Sequence, residues 1–336
     1  MKPPWSRRKI SKTIAAGVLA VLAASLPAAA QPAPPPENAP GQFVLQAKSP
    51  SFWNLIDKTA SLQKVATGFR FTEGPVWDEK GGFLYVSEEV QNRVVRIYPD
   101  GRVETVLNTG DPDGATFDQH HRLIETASVL RAMIRVAPDG KYDVMADTYD
   151  GKKLNSPNDV VLGPDGALYF TDPTLDLVKG EKQELPYQGI FRMEDTGALK
   201  LLATDMAVPN GIAFSPDGKL LYVNDTRSRE IHVYDFSDGE LKNGRLFAKE
   251  EPGRGGPDGM KVDVQGNLWV TGPGGVWVFD PRGNHLGTIV LTEQAANFAW
   301  GGADFSTLYF CGRSSIYRLN MKVKGFVPYL AYAKPA

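Results

Sequence analysis

A chain of 336 residues with 42% hydrophobic and 23% charged side chains is a globular composition, too long for a small domain. With 37 Lys+Arg against 39 Asp+Glu and no run of like charge, it offers no clustered basic surface for nucleic-acid phosphates. The single cysteine, Cys311, excludes an intrachain disulfide framework, and its place in the apolar run LYFCG reads as a buried, inert thiol.

Residues 1–30 read as an export signal rather than structure. Lys2, Arg7, Arg8, Lys9 and Lys12 form a basic start, Ile14 to Leu26 an apolar stretch of 13 residues, and Ala28-Ala29-Ala30 an A-x-A end. Thirteen apolar residues are too few to span a bilayer as a helix, so no membrane span is expected and the destination is periplasmic or secreted. SRRKISK (6–12) resembles a twin-arginine export motif, with an ordinary Sec signal as the equal alternative. Without these residues 32 Lys+Arg face 39 Asp+Glu, a net charge of −7. Residues 31–50 carry six prolines and read as an extended or disordered leader, which leaves 51–336 as a single folded domain.

Within that domain one frame recurs six times: FLYVS (83–87), RLIET (122–126), ALYFTD (167–172), LLYVND (220–225), NLWVTG (267–272) and TLYFCG (307–312). The aligned leucines, 84, 123, 168, 221, 268 and 308, are 39 to 53 residues apart. Each copy is followed by a run rich in β-branched and aromatic residues, and the first five by a further short run. Four short strands at this period predict an all-β fold, a six-bladed β-propeller of four antiparallel strands per blade. The sixth copy lacks an obvious fourth strand, and LQKVAT (62–67) precedes the first copy at the right spacing. A strand from the N-terminus is therefore predicted to close the ring, which leaves no open pairing edge.

Just before the innermost strand of each blade stand Glu73, Asp113, Asn158, Asn210, Asp258 and Asn297, each 10 or 11 residues ahead of the aligned leucine. Equivalent positions at one height around the axis would bring these six oxygen-bearing side chains to one mouth of the channel. Asn and Asp also favour turns before strands by bonding their own backbone, which explains any single member but not six in register, and Glu73 hardly at all. Three uncompensated carboxylates repel, and one divalent cation is the simplest compensation. Hard oxygen donors suit Ca²⁺ first, with Mg²⁺ or Mn²⁺ as alternatives. His120, His121, His232 and His285 all fall off the ring, which weakens a Zn²⁺ reading without removing it. The repeat glycines read as turns, and no G-x-S-x-G elbow, Cys–His pair or phosphate loop is present.

The motifs EGPVW, LNSPNDVV, YFTDP, PNGIAFSPD, PDGMKVD and FAWGG resemble the SMP-30/gluconolactonase/LRE-like family of six-bladed propellers, from about Ser51 to Leu319. The resemblance implies a metal-dependent lactone hydrolase. It places the cation on Glu73, Asn210 and Asp258, gives Asn158 to substrate or to the metal shell, and proposes Asp258 as the general base. The chain departs from the bacterial gluconolactonase pattern in blade 2, where Asp113-Gly114 and Glu125-Thr126-Ala127 stand in place of Asn-Gly and Cys-Glu-His. Substrate identity rests on such positions, so Asp113, Glu125, Asn158 and Asn297 are the candidate substrate contacts, with Glu125 equally readable as a solvated strand end, and Asp113 is a second candidate base.

The expected reaction is hydrolysis of a sugar lactone, by a monomer or weak oligomer, with carbonyl polarisation and an activated water. A broader arylesterase or phosphotriesterase, and a non-catalytic exported binding propeller with a structural ion, are the rivals. The connections 173–189 and 249–257 are expected to shape the mouth.

Overall fold

The computed structural model describes residues 43–332. The segment expected as an export signal, with its twin-arginine-like or Sec character, and most of the expected leader lie outside the described residues.

The innermost strands are Thr72–Asp78, Pro112–Phe117, Val160–Leu162, Pro209–Phe214, Met260–Val262 and Ala295–Gly301. Five of them begin four-stranded antiparallel sheets, and Met260–Val262 begins a five-stranded one. Each innermost strand packs against the next, and the last returns to the first, so the sheets close into a six-bladed propeller. The recurring runs are the second strands of the blades, including Phe83–Glu88, Leu168–Asp172 and Leu268–Gly272. These are buried at every position. Adjacent blades cover both of their faces, which is why they read as continuous apolar runs rather than as alternating ones. Outermost strands such as Val103–Asn108 are largely exposed along one face and carry the polar residues.

Gln63–Thr67 pairs antiparallel with Ser315–Asn320 and is the outermost strand of blade 6. The N-terminal closure expected from LQKVAT is therefore present. A second N-terminal strand was not foreseen: Val44–Ala47 pairs with His285–Val290 and adds a fifth strand to blade 5. Part of the segment expected as a leader, 31–50, is thus a strand of the domain, and it covers an outer edge that would otherwise be unpaired. The last strand of blade 4, Glu240–Lys249, is longer than its apolar run because Asp238 and Gly239 both take positive φ in a tight hairpin turn.

The segment after Leu319 crosses the end of the channel opposite the ring residues. Phe326 N donates to Val262 O at 3.0 Å, Tyr332 Oη to Ser215 O at 2.8 Å, and Tyr329 Oη to the Trp77 carbonyl. Those contacts tie the tail to blades 5, 4 and 1 and close that end.

Candidate active site

Each ring residue is turned toward the axis by a local irregularity. In blades 1, 2, 4 and 6 the pairing of inner and second strands slips between Glu73 and Val76, Pro112 and Ala115, Pro209 and Ile212, and Ala295 and Asn297. A bulge of this kind re-aims a side chain out of the ladder. In blades 3 and 5 regular pairing starts only at Val160 and Met260, beyond Asn158 and Asp258.

The glycine that follows the ring residue in four blades meets the neighbouring blade at close range. Gly114 N donates to Asn158 O of the next blade at 2.8 Å, and a Cβ on Gly114 or Gly211 would land on the neighbouring ring residue's carbonyl oxygen. The motif needs glycine because backbone meets backbone there.

The six side chains come together as three pairs across blade boundaries. Asn297 Nδ2 donates to Glu73 Oε2 at 2.8 Å and Asn158 Nδ2 to Asp113 Oδ2 at 2.7 Å. Asn210 hydrogen-bonds Asp258 and also donates to Thr226 Oγ1 at 3.0 Å. Each carboxylate therefore has one asparagine partner from an adjacent blade, which is the physical content of the Asn/Asp/Glu alternation. Five members are buried, and Asp258 is partly exposed.

A second column holds the ring in place. Ser87, Thr126, Thr171, Asn224, Thr271 and Cys311 occupy the same position of the six second strands, three residues after the aligned leucine. Thr126 Oγ1 donates to Asn158 O at 2.6 Å, Thr171 Oγ1 to Asn210 O at 2.7 Å and Asn224 Nδ2 to Asp258 O at 2.5 Å. Thr271 Oγ1 reaches Ala296 O at 2.9 Å, and Cys311, buried as expected, directs its thiol at Glu73 O at 3.9 Å. Blade 1 is the exception, because Ser87 Oγ donates to Glu125 Oε2 at 2.9 Å instead. Thr171→Val keeps the shape and removes the donor, leaving a buried carbonyl short of a partner. The expected loss is about 1–3 kcal/mol, read as a lower melting temperature, and an unchanged one would show that the contact holds nothing.

Electrostatically the mouth is crowded with like charge. Burial first, then Asp258 and Asp159, holds the Glu73 carboxyl well above the usual range. Burial, Glu89 and Glu73 do the same to Asp113. Burial, with Asp159 next, pushes Asp258 up to about 7. Glu89, raised by burial, Glu73 and Asp176, and Asp176, raised to about 6 by burial and Asp111, add an outer set of acids. Sequence reasoning missed Glu89 and Asp111. Asp176 stands on the 173–189 connection, which was expected to shape the mouth. Two like charges about 5 Å apart repel by about 3 kcal/mol at an effective dielectric of 20, so the ionised ring needs a positive partner. One buried atom is positioned to help hold it: Asn210 Oδ1 has no hydrogen-bond partner.

One candidate substrate contact sits away from the mouth, and another is a ring member whose polar atoms are already engaged. Glu125 is fully buried between blades 1 and 2, on Ser87, and burial raises its pKa well above the usual range. Asn297 spends its amide nitrogen on Glu73, and its oxygen accepts from Phe298 N at 2.9 Å and Lys261 Nζ at 3.1 Å. Among the described residues, three His, Asp and Glu donor atoms lie mutually within 4.8 Å at Asp78, Glu79 and His121. That trio is at the other end of the blade 1 inner strand. Its imidazole lies 3.3 Å from Asp78 and 3.5 Å from Glu79 and stacks on Phe117 at 4.2 Å, an ion-pair and packing arrangement.

Residues 71–312 match the family model of the SMP-30/Gluconolactonase/LRE-like region. A gluconolactonase from Zymomonas mobilis is 32% identical over 305 residues, covering 82% of this chain and 86% of that protein. A pentonolactonase from Haloferax volcanii is 29% identical, covering 73% and 82%. The solved structure of a gluconolactonase from Xanthomonas campestris superposes with a TM-score of 0.78 at 33% identity, over 84% of this chain and 98% of that one.

Proposed function

The chain belongs to the SMP-30/gluconolactonase/LRE-like family, and from that premise we propose that it hydrolyses a sugar lactone at the ring of Glu73, Asp113, Asn158, Asn210, Asp258 and Asn297. The observation that carries the reading is the convergence of three carboxylates on one channel mouth, each steadied by an asparagine. Gluconolactonase and pentonolactonase relatives supply the substrate class.

The donor set fits a divalent cation. Glu73, Asn158, Asn210 and Asp258 would hold it through two carboxylates and two amide oxygens, all hard donors. They suit Ca²⁺ first, with Mg²⁺, Mn²⁺ or Zn²⁺ as alternatives. The unpartnered Asn210 Oδ1 supports this assignment, and the His121 trio fits it less well because one imidazole already serves both carboxylates. When bound, the cation supplies Lewis-acid polarisation of the lactone carbonyl.

Asp258 is the base. It is the one partly exposed member of the ring, and so the carboxylate that a water at the mouth can reach. It takes a proton from water as the water oxygen bonds to the carbonyl carbon, and the proton returns to the ring oxygen when the ester C–O bond breaks, giving the hydroxy acid. Asp113 is less suited, because its Oδ2 already accepts from Asn158 and, at 3.3 Å, from Ser128 Oγ; it fixes the Asn158 amide.

The test is acid release from glucono-1,5-lactone after EDTA treatment, with Ca²⁺, Mg²⁺, Mn²⁺ or Zn²⁺ restored. Turnover that returns with one of the ions is expected. Absence of turnover with all four, on this and on pentonolactones, overturns the reading.

A further inference from the structure

A lysine inside the channel is not used by the mechanism above. Lys261 lies on the short inner strand of blade 5, Met260–Val262, and lines the cavity between the ring and the C-terminal tail together with Trp300 and Val262. Placing an ammonium there costs solvation unless it is paired. Its partners are Asn297 Oδ1 at 3.1 Å and Asp159 Oδ2 at 3.9 Å, on side chains that are both buried.

The Asn297 contact bears on the ring. A primary amide is nearly symmetrical in shape and opposite in chemistry at its two ends. As it stands, the NH₂ faces Glu73 Oε2 and the oxygen faces Lys261 Nζ and Phe298 N. Turned over, the carbonyl would oppose the Glu73 carboxylate and the NH₂ would oppose the ammonium and an N–H. Lys261 contributes the charged, and so stronger, of the two donors that select the orientation. The relay runs from blade 5 through blade 6 to blade 1, and Asn297 packs directly against Gly259, where a Cβ would displace it.

We infer that Lys261 is a positioning residue of the site: through Asn297 it orients the Glu73 carboxylate toward the cation position, from the side of the ring away from the mouth. The inference rests on the cation reading of the ring given above.

The experiment is a double-mutant cycle on cation affinity, with Ca²⁺ alone titrated calorimetrically into EDTA-stripped wild type, Lys261→Met, Asn297→Ala and the double variant. Removing the ammonium also removes a charge that repels the cation. That direct effect is common to both backgrounds and cancels in the cycle, leaving the part carried by Asn297. Lys261→Met is expected to weaken Ca²⁺ binding at least about fivefold more with Asn297 present than with Asn297→Ala, a coupling typical of contacting residues. Lys261→Arg, which keeps a charged donor, is expected to recover most of it. Equal shifts in the two backgrounds overturn the inference and leave Lys261 as a channel charge only. If melting curves show that Lys261→Met is unfolded, Lys261→Gln is read in the same cycle. A folded wild type that binds neither Ca²⁺ nor Mg²⁺, Mn²⁺ or Zn²⁺ overturns the cation reading and this inference with it; binding by the wild type with an additive cycle overturns this inference alone.

Discussion

Asp258→Asn is expected to lower kcat for glucono-1,5-lactone about 10³-fold at saturating cation, within the 10²–10⁴ range for loss of a general base. The substitution is isosteric and keeps an oxygen toward the cation, so cation affinity falls but binding is retained. Assay at saturating cation then isolates the proton-transfer step in kcat. Asp113→Asn provides the contrast. Its Oδ2 already accepts from Asn158 Nδ2 at 2.7 Å and Ser128 Oγ at 3.3 Å, and an amide oxygen in the same place can accept both. Its expected loss in kcat is below about tenfold, a disturbance of positioning rather than of proton transfer. The pair is measured by steady-state acid release with calorimetric cation titration in parallel. The reverse order of effects would move the base to Asp113, and an Asp258→Asn enzyme within about tenfold of wild type would remove the carboxylate-base mechanism altogether.

Much of this site was legible in the sequence, because a repeat turns one column of residues into one height on the molecule. Glu73, Asp113, Asn158, Asn210, Asp258 and Asn297 could be aligned by counting back from the recurring leucines. Which residue bonds which could not, since Asn297 and Glu73 are 224 residues apart and meet only through closure of the ring. The Ser87/Thr126/Thr171/Asn224/Thr271/Cys311 column stood inside the quoted strands. It passed unread because a polar residue in an apolar run looks like noise until the strand is known to be buried on both faces, where it must find a partner. The role of the ring glycines went unread for a related reason: only the neighbouring blade shows the close approach at Gly114 and Gly211 that excludes a Cβ. Lys261, within PDGMKVD, gave no signal of direction, since alternation along a strand of three residues is too short to show which side faces the channel. Glu125 was assigned to the pocket by its place in a divergent motif, and the structure buries it one layer out, on Ser87. The tail after Leu319 lies outside the repeat, so no column could place it.

The cation-free protein is expected to lose stability as pH rises from about 4 to about 8, and cation binding to reverse the trend. Asp258 carries the argument. Burial, with Asp159 second, raises its carboxyl from 3.8 to about 7. A carboxyl with a folded-state pKa above its unfolded value binds its proton more tightly when folded, so its contribution is full below the unfolded pKa and disappears as pH passes the folded one. At 1.36 kcal/mol per pKa unit the loss is a few kcal/mol, or about 5 °C in melting temperature for a domain of this size. A cation acts in the opposite sense. It binds the ionised ring and competes with the proton, so its affinity rises with pH across the same window, and at 1,000 times its Kd it adds about 4 kcal/mol. The gain in melting temperature from saturating Ca²⁺ should therefore be several degrees larger at pH 8 than at pH 5. A carboxyl with a lowered pKa acts with the opposite sign and at lower pH: Glu293, lowered by hydrogen bonds from Tyr317 and Ser314 against its burial, adds stability as pH rises only up to the ordinary carboxylate range. The comparison that isolates the ring is wild type against Asp258→Asn, both stripped with EDTA, by scanning calorimetry between pH 5 and 8. Asp258→Asn should melt above wild type by a margin that grows with pH, since it removes an ionisable group whose charge is opposed by burial and by Asp159 more than its Asn210 hydrogen bond offsets. Parallel curves would mean that Asp258 is not ionised against its neighbours in the folded protein. The mouth would then carry too little charge to demand a cation.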